Sequence, residues 1–219
     1  MLEVVLGAVI AIVLTITVET WRKPKLALSI AVPVDMEYQD RPAKNARFLL
    51  IECKNRPLPW FARWMSRSAA LQCHGTVSFH HLDGQNVFGR SMPIRWSGSP
   101  EPAPSQIILG DQRGFLIDPQ KITVESRVDI YPGEKARLDV AVKLDDESEC
   151  YGWSNLSYFS SPIWRNPDWK LNSGRYLVKV TVTSAGEQCS DVFRLINDVQ
   201  RRDCRIEKAM PTDRVFGDV

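Results

Sequence analysis

The sequence predicts an all-β, antiparallel β-sandwich preceded by one N-terminal transmembrane helix, and three observations carry that reading. Val4–Val18 (VVLGAVIAIVLTITV) is an unbroken apolar run in which only Thr15 and Thr17 are polar. Beyond Lys25, apolar and polar residues alternate with period two in short runs, the pattern of half-buried strands. Pro, Gly, Asn and Asp clusters separate those runs, and helical periodicity is nearly absent, so crossover helices are lacking and the strands must pair antiparallel.

The apolar run with its flanks to Trp21 approaches the roughly 30 Å of a bilayer's hydrocarbon core at about 1.5 Å per helical residue. A cleaved signal peptide would begin with cations and end on small residues. This segment begins with Glu3 and ends Thr17-Val18-Glu19-Thr20-Trp21, which points to an uncleaved anchor. A buried core helix or a weak signal peptide is the competing reading. Trp21 has the position of an interfacial aromatic, and Pro24 ends the helix. Arg22, Lys23 and Lys25 follow the span directly, so the positive-inside rule places the body of the chain in the cytoplasm, on a cell membrane crossed once. Gly7 and Ala11 have the small-xxx-small spacing of a pairing helix, which would allow homo-oligomers through the span.

With 44% apolar residues in 219, the chain can build a core, which excludes a disordered, collagen-like or coiled-coil protein. A net charge of +2 leaves no global field for a nucleic acid, so no nucleic-acid partner is expected. Strands are expected at 26–34, 46–54, 70–80, 87–96, 122–130, 136–144, 175–183 and 189–196. Tyr131-Pro132-Gly133-Glu134 is a hairpin signal. The domain order is then an anchor over 1–21, a basic linker over 22–25, a sandwich over 26–197 with insertions at 55–69 and 145–170, and a charged, solvated end over 198–219.

One motif narrows the architecture. Leu171-Asn172-Ser173-Gly174-Arg175-Tyr176 runs directly into the alternating strand Leu177–Val182. It resembles the tyrosine corner of immunoglobulin-like and fibronectin-like sandwiches, and that resemblance implies that Tyr176 bonds back across the corner. Two residues on stands Val178, where antibody domains have a Cys. The resemblance is to a widely shared fold and carries no function with it.

Two aromatic insertions are the candidate contact surfaces. Asn55–Ser68 (NRPLPWFARWMSRS) sets Trp60, Phe61, Trp64 and Met65 at helical spacing beside Arg56, Arg63 and Arg67, with no acid. Trp60, Arg63, Trp64 and Arg67 are therefore candidates for membrane or partner contact; a cap that buries its tryptophans at one end of the sandwich is the other reading. Cys150–Lys170 carries six aromatics, of which Trp153, Tyr158, Trp164 and Trp169 are candidates for ligand or partner contact, either as a stacking platform or packed over the sheet.

Little points to catalysis. His74, His80 and His81 with Cys73 lie on one strand, too far apart or on opposite faces to share a metal, and no metal or cofactor is expected. The acidic run Asp145–Glu149 lacks the spaced ligands of a calcium loop. Nucleophile-elbow, phosphate-loop and zinc-protease motifs are missing. The five cysteines have no CxxC spacing, which fits a reducing compartment, whereas pairing of Cys53 with Cys73 or Cys150 with Cys189 would fit an exported domain. The functional expectation is a membrane-anchored, non-enzymatic binding or scaffolding module at the cytoplasmic face with a protein partner. The alternative is an extracytoplasmic domain that binds glycan or another envelope component.

Overall fold

A computed structural model describes residues 2–38, 41–62, 64–100, 105–110, 112–116, 127–145, 147–160, 164–211 and 213. Arg63, the 122–126 part of an expected strand and residues 214–219 lie outside the described residues.

Helix α1 (Leu2–Arg22) is about 30 Å long, and its apolar stretch from Val4 stands clear of the rest of the chain. It is long and apolar enough to cross a membrane. Its polar side chains suit apolar surroundings: Thr15, Thr17 and Thr20 each turn the hydroxyl back onto the carbonyl four residues earlier, at 2.7–2.8 Å.

The rest is mostly β. The strands are β1 (Leu26–Ile30), β2 (Val34–Tyr38), β3 (Arg41–Asn55), β4 (Ala70–His80), β5 (Met92–Pro93), β6 (Arg95–Trp96), β7 (Ser105–Leu109), β8 (Gln112–Leu116), β9 (Val128–Ile130), β10 (Lys135–Leu144), β11 (Cys150–Gly152), β12 (Lys170–Leu171), β13 (Arg175–Ser184), β14 (Glu187–Ile196) and β15 (Arg205–Lys208). Two antiparallel sheets result. One has the order β1-β3-β10-β11-β12, with β2 also on β3 and β6 also on β10; the other runs β15-β14-β13-β4-β5, with β9 also on β4. Strands β7 and β8 pair as a separate hairpin. Leu49, Ile51, Cys53 and Leu138 from the first sheet meet Val77, Phe79, Val178, Val180 and Leu195 from the second in one core, as in a sandwich.

The expected strand at 87–96 differs in an instructive way. Gly89 takes a left-handed conformation (φ +64°), so the chain bends through 87–90 instead of extending. The remainder divides between the sheets: β5 pairs with β4, and β6, two residues on, pairs with β10. Met92, Ile94 and Trp96 enter the core during this crossing, while Arg95 is set opposite Asp139 on the outer face of the first sheet.

The expected solvated end also differs. Within it, β15 adds an edge strand to β14, and Cys204 and Ile206 are buried. The charges there are spent locally: Arg194 makes a two-pronged contact with Asp213 at 2.7 and 2.9 Å, and Arg201 binds Asp35 and Asp145.

Two buried asparagines tie the ends of the sandwich. Asn55 accepts from the backbone of Lys25 and donates to the carbonyls of Ser68 and Ile130 at 3.0–3.1 Å. Asn197 donates to Asn172 and accepts at 2.7 Å from the ammonium of Lys143, a lysine only 2% exposed. Tyr176 donates to the carbonyl of Asn172 at 3.0 Å, the back-bond a tyrosine corner makes.

Candidate functional site

The outer face of the first sheet is apolar where solvent would be expected. Val34 and Met36 of β2, Phe48 and Leu50 of β3, and Val142 and Leu144 of β10 share that face, because register partners Val34/Phe48 and Phe48/Val142 point the same way. The inner-face phase survives only because β10 carries a bulge at Val140, where the pairing steps from Asp139/Leu50 to Ala141/Leu49.

The 145–170 insertion covers this face. Gly152 lies within it where a side chain would crowd the core: a Cβ there would lie 3.0 Å from Trp169 and 3.1 Å from Met92. Trp153 is anchored by its amide to Val140 (2.9 Å), and a single 3-10 turn over Asn155–Phe159 follows, braced by Ser157. Trp164 returns to the sheet with its amide bonded to Ser157 and its backbone left-handed at φ +70°. A bulky residue there carries strain on the order of 1–3 kcal/mol that its surroundings must offset.

The rings interlock, three contacts edge to face and the fourth, Trp153 with Tyr158, tilted. Phe48 meets Trp153 at 4.9 Å and Trp164 at 5.5 Å; Trp153 meets Trp164 at 5.6 Å and Tyr158 at 5.1 Å. Trp153 is 2% exposed, and Tyr158 and Trp164 are half-buried. Glu147 holds the assembly from behind, accepting from Tyr151 (2.7 Å) and pairing with Arg165.

Between this wall and strand β2 lies a cleft of about 240 Å³, lined by Val34, Met36, Phe48, Leu50, Trp153, Tyr158 and Trp164, with Arg95 and Asp139 at one end. The guanidinium of Arg95 stacks on Tyr158 at 5.5 Å and donates to the carbonyls of Trp96 and Ser99. Its Nε, 3.8 Å from Asp139, is buried without a hydrogen-bond partner. Burial pushes the Asp139 carboxyl up to about 6, against the opposing pull of a 2.6 Å hydrogen bond from Ser97 and of Arg95. The cleft thus joins aromatic walls to one charged pair with unspent hydrogen-bonding capacity, an arrangement suited to binding a group with an apolar face and a polar edge.

Of the four candidate rings in this insertion, the fold gathers Trp153, Tyr158 and Trp164 and sends Trp169 elsewhere. Trp169 packs in the main core against Phe88 (4.9 Å) under Arg90. Sequence reading missed Phe48, Met36, Arg95 and Asp139, which belong to distant strands; only the pairing of β3 with β10 and the sheet crossing at β6 bring them here.

The other insertion forms one 3-10 turn, Trp60–Ala62, pinned by buried Leu58 and Ala62. Its tryptophans are outside: Trp60 and Trp64 are each 80% exposed, so they cap no core. Arg67 donates to the carbonyl of Lys23 at 2.6 Å, Ser68 bonds the carbonyl of Arg22 at 2.7 Å, and Phe61 packs on Trp21 at 6.0 Å.

Among the described residues no His, Cys, Asp and Glu cluster has the geometry of a metal site. His80 is held between Ser78 and the carbonyl of Gly84, and His81 lies beside Tyr176. No protein-family model, curated protein or solved structure matches this chain.

Proposed function

We propose that this chain is a single-pass membrane protein whose immunoglobulin-like sandwich serves as a non-enzymatic binding module at the cytoplasmic face. The aromatic cleft between β2 and the Trp153–Trp164 loop is its contact site. The observation that carries this reading is Trp164: a strained tryptophan, half-buried, walls a cleft whose far end holds a desolvated Arg–Asp pair. Strain of this kind persists where surrounding structure holds a side chain in place for use. The Tyr176 back-bond supports the immunoglobulin-like assignment, and the cations after α1 support the cytoplasmic side.

A photo-crosslinking residue at Met36, which lines the cleft, tests this in native membranes, with Leu82 as an exposed control. The expected result is a discrete adduct at Met36 alone, reduced about tenfold by Trp164→Ala, the loss that goes with about 1.4 kcal/mol of contact energy. Equal labelling at both positions, or labelling indifferent to Trp164→Ala, overturns the site. A membrane-impermeant thiol reagent on Leu82→Cys gives the side: protection in intact cells supports the cytoplasm, and labelling moves the module outside.

A further inference from the structure

We propose that the turn carrying Trp60, Phe61 and Trp64 is an interfacial foot, seated at the headgroup boundary of the same bilayer that α1 crosses and fixing the sandwich against that surface. The proposal rests on the reading of α1 as a span and names what lies beside it.

Large indoles left in water are unfavourable by the hydrophobic effect, and Trp60 and Trp64 are the most exposed aromatics described, with Phe61 half uncovered beside them. Trp60 and Phe61 touch edge to face at 5.9 Å, so the apolar surface is continuous, and Phe61 extends it to Trp21 at the last turn of α1. That continuity sets depth. Trp21 stands where a span meets headgroups, and the bonds from Ser68 to Arg22 and from Arg67 to Lys23 hold the turn at the same level. Asn55 adds a third tie, clamping Ser68 and Lys25 together. Indole favours this layer because its ring is apolar while its N–H can bond headgroup oxygens.

The charge agrees. Lys23 and Lys25 are tied beside the turn by Arg67 and by the amide of Arg56, Glu187 is the carboxylate that acts on Arg67, and the carboxylate of α1 nearest the turn, Glu19, is engaged by Arg22 at 3.6 Å. A basic, aromatic surface matches anionic headgroups better than it matches a second copy of itself, which would set cation against cation.

The test reconstitutes the full chain in phosphatidylcholine vesicles containing some phosphatidylglycerol, with and without bromine on the upper acyl chain, and reads tryptophan emission. Trp60→Phe with Trp64→Phe should remove roughly two-thirds of the bromine-quenchable emission, two of three interfacial indoles, leaving the share of Trp21. Both side chains are exposed, so unfolding temperature serves as the control for folding and should not change. Quenching equal to that of the unsubstituted chain overturns the foot while leaving the span intact. Failure of the chain to float with vesicles after alkaline extraction overturns the span, and the foot with it. Crosslinking between copies at Trp60 in place of lipid quenching also overturns it, in favour of self-association.

Discussion

Asp139 shows how burial, more than sequence neighbours, sets the chemistry of one group. Its carboxyl titrates near 6 in the folded protein and near 3.8 when unfolded, because desolvation outweighs the help of Ser97 and Arg95. The folded state therefore keeps a proton that the unfolded chain has lost between those values. The stabilisation from this group is complete below 3.8 and is lost as pH rises through about 6, on the order of 1–3 kcal/mol. A carbon-detected titration should place the Asp139 midpoint at about 6, and denaturant stability should fall over that window in the wild type but not in Asp139→Asn. A midpoint in the ordinary aspartate range would mean that water reaches the pair. The titration also bears on the cleft, since below the midpoint Arg95 faces a neutral acid and its positive charge is less compensated. Lys143 makes a related point without a carboxylate: its ammonium is satisfied by Ser148 and Asn197 oxygens, so a buried lysine serves as a tie between loops.

At the scale of elements, legibility followed periodicity. Strands β3, β4, β10, β13 and β14 were readable because alternation over many residues outweighs local noise. In β10 the same alternation misleads: Asp139 and Lys143 fall on its polar phase, yet both are buried, Asp139 under the aromatic insertion that covers the outer face and Lys143 because the bulge at Val140 turns it to the inner side, where Ser148 and Asn197 take its ammonium. Strands of two to four residues, such as β5, β6, β11, β12 and β15, leave no periodic trace and form only where a neighbour offers a free edge. The candidate site was half legible for the same reason. Its three rings come from one aromatic-rich stretch, while Phe48, Arg95 and Asp139 required knowledge of register. Strand β15 illustrates how composition can hide an element, since Arg205 and Glu207 pair with each other inside it and Asp213 beyond it pairs with Arg194 of β14. Ending the chain before Cys204 would bare the edge of β14 and remove the buried Cys204 and Ile206 with the Arg194–Asp213 pair. A loss of about 3–5 kcal/mol is expected, lowering Tm by roughly 10 °C. A Tm unchanged within about 2 °C would mean that this end is a dispensable appendage.

At the scale of the whole molecule, the cysteines connect fold to compartment. All five are unpaired, and the fold sorts them differently from the order of the chain. Cys150 lies against Cys204, with Cys189 placed instead near Cys53 and Cys73. The hydrogen bond to Cys204 and full burial push the Cys150 thiol well above its ordinary value, and burial first of all pushes Cys53 up to about 12. Cys53 and Cys150 are therefore poor nucleophiles; the hydrogen bond from Cys150 lowers Cys204 instead, but both sulfurs of that pair are buried from any oxidant, so oxidation is slow while the protein stays folded. Oxidation would have to occur during folding, and then compartment decides the outcome. On the cytoplasmic side, alkylation after denaturation without reductant should find five free thiols. If the sandwich were exported, oxidative folding would act on the same chain, and the thiols that meet in the core are Cys150 and Cys204. Their bond would close a long loop and stabilise the fold by about 4 kcal/mol in the chain-entropy account. A Cys150–Cys204 crosslink in protein taken from native membranes would thus contradict the side inferred from Arg22, Lys23 and Lys25, because a pair buried this deeply does not form by exposure to air after purification.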